Sequence, residues 1–171
     1  LNIEITRIGR DQKETFLNLY NLYLYDLSEF TLEDPTNSGV FDPTNTYIYL
    51  EKDELHPYFI VNDSKIIGFI LVCASPFVPE DVDYTVQELF ILKKYRGTNI
   101  ASITVEKVLG QLSGKISICQ LAANQRAVAF WKKYYREHHI DYVETRECIP
   151  IDGLEGLQEV ISQSFEIQRT C

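Results

Sequence analysis

The sequence predicts a mixed α/β domain, and three observations predict it. Residues 85–113 change from a β-branched and aromatic run to a helical apolar period across a short glycine-containing loop. Residues 116–135 repeat the change, a short apolar strand giving way to an aromatic helix. Around these units the chain reads as a strand, a long helix and a two-stranded hairpin before them and two further strands after them, so the order is β, α, three strands, α, β, α, β, β. At 171 residues, 45% of them hydrophobic, the chain suits one domain over residues 1–171 with a sizeable core.

Each element has its own warrant. Residues 2–7 alternate as a strand does. Asp11 and Glu14 form a capping-box-like start to a helix running through Phe16, Leu17, Tyr20, Tyr23, Leu24 and Leu27. That helix is apolar nearly all round, so it must be covered on more than one side, and its tyrosines can line a substrate cavity with rings and hydroxyls. Residues 32–45 are full of turn formers and acids and read as an irregular, exposed loop. His56, before Pro57, reads as a loop residue; residues 57–62 and 65–75 then form a hairpin around Asn62-Asp63-Ser64, with Gly68 marking a close backbone approach. A second acidic loop, 76–83, leads into the strand 85–92, largely buried because its end is aliphatic and aromatic. From Ala101 the apolar residues Val105, Val108, Leu109 and Leu112 mark one helix face, with Gly114 placed to end it. Between strand and helix, Gly97 permits a tight backbone and Thr98 or Asn99 can cap. Asn124 is placed to cap the next helix, Trp131 to pack, and His138-His139 to end it; residues 142–147 and 160–169 read as closing strands.

Charge distribution says more than its total. The net charge of -9 argues against a nucleic-acid partner. Residues 93–136 nevertheless hold nine basic residues against one acid, Glu106, a balance of +8 that leaves -17 on the remainder. Such asymmetry suits a polyanionic cofactor held by one part and a cationic substrate drawn to the other. The four cysteines (73, 119, 148 and 171) lie far apart with no metal-ligand spacing, so they are expected to be reduced and no metal is expected. No uncharged apolar run can span a bilayer and no signal-peptide order is present, so the expectation is a soluble cytoplasmic protein with no membrane partner.

The strand, glycine loop and helix N-terminus at 85–113 present orphan N–H groups and the positive end of a helix dipole, a site suited to a phosphate. The loop lacks the Lys-Ser/Thr of a P-loop and the spaced glycines of a dinucleotide fold. It does resemble motif A of the GNAT acyltransferase superfamily: Arg96 and Ala101 match that pattern, and Asn99 stands where the family has its middle glycine. Residues 124–135, NQRAVAFWKKYY, resemble motif B, with Asn124, Ala127 and Phe130 at matching offsets and Trp131 in place of the usual tyrosine.

The resemblance implies a GNAT fold, one mixed sheet of six or seven strands flanked by helices and splayed where the motif A strand meets the next parallel strand. It implies acetyl-CoA as cosubstrate, its pyrophosphate over Arg96, Gly97, Thr98, Asn99, Ile100 and Ala101, its pantetheine along the backbone of Phe90, Ile91 and Leu92, and contacts from Asn124 and Trp131. The implied activity is N-acetyltransfer to a small cationic amine; the alternative is a catalytically weak acyl-CoA-binding or protein-interaction module of the same fold. Glu88, the one acid on the central strand, is the candidate proton acceptor, and Tyr134 the candidate proton donor to the departing thiolate, because an indole N–H is no acid at useful pH. Tyr23 and Asp26, on the first helix, are candidates for binding the acceptor. The expected partners are thus a small-molecule amine and, beyond it, only a second copy of the chain as a homodimer.

Overall fold

The computed structural model of the chain describes residues 1–168. Arg169, the end of the expected last strand, and Cys171 lie outside the described residues. Seven strands, β1 (Ile3–Arg7), β2 (Leu55–Asn62), β3 (Lys65–Ala74), β4 (Tyr84–Ile91), β5 (Gly114–Leu121), β6 (Val143–Pro150) and β7 (Leu157–Ile167), form one sheet in the order β1-β2-β3-β4-β5-β7-β6. All neighbours are antiparallel except β4 and β5. Helices α1 (Lys13–Thr31), α2 (Ile100–Leu109) and α3 (Gln125–Glu137) complete the expected order of elements.

The two sheet faces carry two cores. On one, Phe16 and Tyr20 of α1 pack with Phe59, Phe69, Leu71 and Phe90. On the other, Val105 and Val108 of α2 and Trp131 and Tyr135 of α3 pack with Ile60, Ile67, Ile70, Ile116, Ile118 and Phe165. Burying both sheet faces requires near-continuous apolar strands, and β3, with seven consecutive buried residues, has one.

Sheet geometry opens the molecule at one place. β4 pairs with β5 only at Tyr84–Ile116, Thr85–Ser117 and Val86–Ile118, where the buried Thr85 and Ser117 hydroxyls meet at 2.6 Å. Beyond Val86 the two parallel strands part. At that point β4 also carries a bulge, since Leu71 faces Glu88 while the adjacent Val72 faces Val86, leaving Gln87 as the extra residue. The bulge reverses alternation: Val86 belongs to the α2/α3 core with Leu89 and Ile91, while Glu88 turns with Phe90 toward α1.

Several local expectations are corrected. The first helix starts not from Asp11 and Glu14 but from a 3-10 turn at Arg10–Gln12, where the Gly9 N–H donates to Gln12 Oε1 at 3.0 Å. α2 ends at Leu109, with the Gly110 N–H donating to the Glu106 carbonyl; residues 111 and 112 continue as tight turns. Gly114 does not end that helix but opens β5, with φ +103° and so close to the Asp83 carboxylate that a Cβ would collide with it. Asp83 accepts the next N–H, from Lys115, at 2.8 Å. His56 lies in β2, not in a loop, because the pairing with β3 runs past Pro57 to His56–Val72 and Leu55–Cys73; Arg7 on β1 also binds its Nδ1 (2.9 Å) and the Leu55 carbonyl (2.8 Å). Residues 46–50 form a 3-10 turn that closes the irregular loop. β6 runs on to Pro150 and β7 begins at Leu157, both longer than their apolar patterns, because strand pairing continues where side chains are exposed.

Gly68 is required by close approach. A Cβ there would fall on the Phe90 carbonyl oxygen and lie 3.0 Å from Ile91 Cα. Gly68→Ala is therefore expected to destabilise the fold by about 1–3 kcal/mol, read from the midpoint of denaturant unfolding, because backbone cannot move aside as a flexible side chain does. An unchanged midpoint would show that β4 can shift freely at this point.

Candidate active site

The parting of β4 and β5 opens a cavity of about 730 Å³ between the two cores. Its floor is the freed ends of both strands, Gln87 to Ile91 on β4 and Cys119 to Leu121 on β5. α1 walls one side with Tyr20, Tyr23 and Asp26, and α3 the other with Asn124, Phe130, Trp131 and Tyr134.

The loop ahead of α2 lines the cavity with Arg96, Gly97, Thr98 and Asn99. Gly97 has φ +70° and nothing within 4 Å of where a Cβ would be, so its backbone is free to meet a ligand. Thr98 Oγ1 donates to the Tyr95 carbonyl at 2.7 Å and sits 3.4 Å from the Ile100 N–H, while Asn99, the last residue before the helix, caps nothing with its side chain. Asn99 is at φ -85°, an ordinary conformation, so the left-handed turn falls on Gly97 instead. Arg96 donates through Nε to the Ile91 carbonyl at 2.7 Å and pairs through Nη2 with Asp26. Lys93 reaches the same carboxylate at 3.4 Å. Asp26, expected to bind a cationic acceptor, is thus already engaged by two cations.

Most of the sequence-predicted site residues line this one cavity; Leu92 and Ile100 do not. Leu92 donates its N–H to the Ile67 carbonyl at 2.9 Å, and the Ile100 side chain is buried in the α2/α3 core. Asn124 caps α3 as expected, accepting the Ala127 N–H at 3.1 Å. Trp131 packs against Phe130 and Tyr134 and stacks with Tyr135.

Glu88 is the one acid projecting from the cavity floor. Its Oε2 accepts the hydroxyl of Tyr23, whose ring is held between Tyr20, Phe69 and Phe90 at centroid separations of 5.6–5.8 Å. Burial raises the Glu88 carboxyl to about 7, the Tyr23 hydrogen bond opposing the rise. Tyr134, almost wholly buried, is pushed up to about 12 by burial and by Glu106, and its ring stacks on His138 at 4.1 Å.

Sequence reasoning pointed to the acidic loop 32–45 beside the acceptor but named none of the acids that rim the cavity. Glu33, Asp42 and Asp152 line the cavity from the end of α1, the irregular loop and the β6–β7 connection. These segments meet, for a Cβ on Gly153 would lie 3.7 Å from Glu33 Oε1 and 3.8 Å from Thr44 Cγ2. The richness of residues 32–45 in acids was the available signal; nothing marked Asp152, because loop contacts of this kind leave no periodicity. The basic lining residues, Arg96, Arg126 and Lys133, all come from the basic segment 93–136.

Residues 17–135 match the model of the acetyltransferase (GNAT) family. A search of curated protein sequences finds no match. Among solved structures, the chain is similar to an acetyltransferase from Thermus thermophilus (16% identity, 96% of this chain and 98% of that one, TM-score 0.67). It is also similar to the diaminobutyrate acetyltransferase of Paenibacillus lautus, in complex with L-2,4-diaminobutyric acid and coenzyme A (14% identity, 99% of each chain, TM-score 0.65). A third is a putative streptothricin acetyltransferase from Bacillus anthracis in complex with acetyl coenzyme A (13% identity, 98% of this chain and 100% of that one, TM-score 0.61).

Proposed function

The chain belongs to the GNAT acetyltransferase family, and from that premise we propose that it moves the acetyl group of acetyl-CoA to the amine of a small cationic acceptor. The observation that carries the reading is Glu88, a carboxylate with a raised pKa on the floor of the only splay between parallel strands among the described residues. The acidic rim supports a cationic acceptor, as does the amine acceptor held by the Paenibacillus lautus structure.

The residues present fit acetyl-CoA. Gly97, the N-terminal turn of α2 and Arg96 suit the pyrophosphate, and the edge of β4 freed beyond Val86 suits an extended pantetheine. Acetyl-CoA supplies an activated acetyl group when bound. Arg96 would exchange the Asp26 carboxylate for a phosphate. Glu88 accepts the proton of the attacking amine, directly or through water, and the backbone N–H of Ile91, on the edge of β4 turned away from β3, donates to the oxygen that becomes negative. Tyr134 remains protonated at neutral pH and is the proton donor to the leaving sulfur, a role the Trp131 indole cannot take.

Calorimetry with acetyl-CoA, followed by thiol release over a panel of diamines, polyamines and neutral amines, tests the reading. Binding with release toward cationic amines is the expected result. Binding without release for any amine would favour an acyl-CoA-binding module, the reading to which Trp131 lends support. With a competent amine, Tyr134→Phe should slow release about tenfold without changing acetyl-CoA affinity. Full activity in that variant would assign the proton to solvent.

A further inference from the structure

We propose that Tyr23 is a positioning residue for Glu88, its clamped hydroxyl fixing the direction of the carboxylate and favouring its ionised form. The proposal rests on the reading of Glu88 as proton acceptor. Tyr23 was expected to contact the acceptor, yet among the described residues its hydroxyl has a single partner, Glu88 Oε2. The ring cannot readily turn away, because Tyr20, Phe69 and Phe90 contact it and two of these contacts are edge-on. A clamped ring fixes the hydroxyl, and the hydroxyl fixes the carboxylate. Glu88 Oε1 takes no hydrogen bond from the described residues, so it is the oxygen left to receive a proton.

The surroundings leave Tyr23 as the main stabiliser of the ionised form. The titratable groups that sense Glu88 are Tyr20 and Tyr23 from α1, Tyr49 from the 3-10 turn and Cys73 from β3. All four are raised by burial and are neutral at pH 7. The cations lining the cavity are engaged elsewhere: Arg96 by Asp26 and Ile91, Arg126 by Glu29 at 2.9 Å and Lys133 by Glu137 at 3.6 Å. The Tyr49 hydroxyl is paired with Cys73 Sγ at 2.9 Å. A phenol donates more strongly to a carboxylate than to the neutral acid, because the bond is then charge-assisted, so its removal raises that acid's pKa.

The test needs no acceptor. In the full chain labelled with ¹³C at glutamate carboxyls, the Glu88 resonance is assigned by its loss in Glu88→Gln and followed against pH. Tyr23→Phe keeps the ring and the packing; its Glu88 midpoint should rise by about one unit or more, while Tyr20→Phe should move it much less. An unmoved midpoint in folded Tyr23→Phe, or an equal shift in Tyr20→Phe, would overturn the positioning role. Failure of the base assignment itself would be seen separately, as normal turnover by Glu88→Gln with an amine from the panel. With such an amine, the acid limb of the Tyr23→Phe rate profile should move up with the carboxyl.

Discussion

Replacing Glu88 with glutamine is expected to lower turnover about 100-fold or more at neutral pH while leaving acetyl-CoA affinity nearly intact. The amide keeps the side chain's shape and can still accept the Tyr23 hydroxyl through its oxygen, but it cannot take a proton. In the parent protein, turnover should rise as pH increases through about 7, where the carboxyl ionises. In the variant that limb should vanish, and high pH should recover part of the rate, because more of the acceptor is then already neutral. Stability supplies an independent control. The folded-state pKa of Glu88 lies above its unfolded value of 4.5, so its contribution is fully present below about pH 4.5 and lost as pH rises through about 7. Glu88→Gln should therefore be less sensitive to pH across that window in thermal unfolding. Normal turnover by the folded variant would move the search for a base to solvent or to the acidic rim.

The second large effect is expected at Gly97, where valine should reduce acetyl-CoA affinity by at least about tenfold in calorimetry. The backbone there has φ +70°, which costs an L-residue about 1–2 kcal/mol and a β-branched one more. Relief of that strain would turn the loop and displace Arg96 and the first N–H groups of α2 together. If the strain were tolerated, the isopropyl group would occupy space that is open beside the backbone. Both routes weaken binding, and circular dichroism separates them from loss of the fold. Affinity equal to the parent's in a folded Gly97→Val protein would remove the phosphate cradle from this loop.

Much of the architecture could be read in the chain. The shift from strand composition to helical period at 85–113, its repetition at 116–135 and the two motif matches led to the element order, the single mixed sheet and the splay that the structure has. These features are local or periodic, and burial of one helix face or two sheet faces imposes them on composition directly. Exposed strand ends leave less trace, which is why β6 and β7 are longer than their patterns. The glycine at position 68 was legible too, since a glycine inside an apolar strand has few other reasons to be there.

What the sequence by itself determined is therefore the order of elements and the family. Only the tertiary structure decided the partners of the charged and hydroxyl groups. Asp26 faces Arg96 and Lys93, residues about 70 positions away, and Tyr23 meets Glu88 across 65. The bulge at Gln87 decided the second of these meetings: strict alternation would have placed Glu88 with Val86 on the α2/α3 face, away from α1. One extra residue in β4 reverses every side chain beyond it, and no local propensity in residues 84–91 records where the neighbouring strand will let that residue bulge.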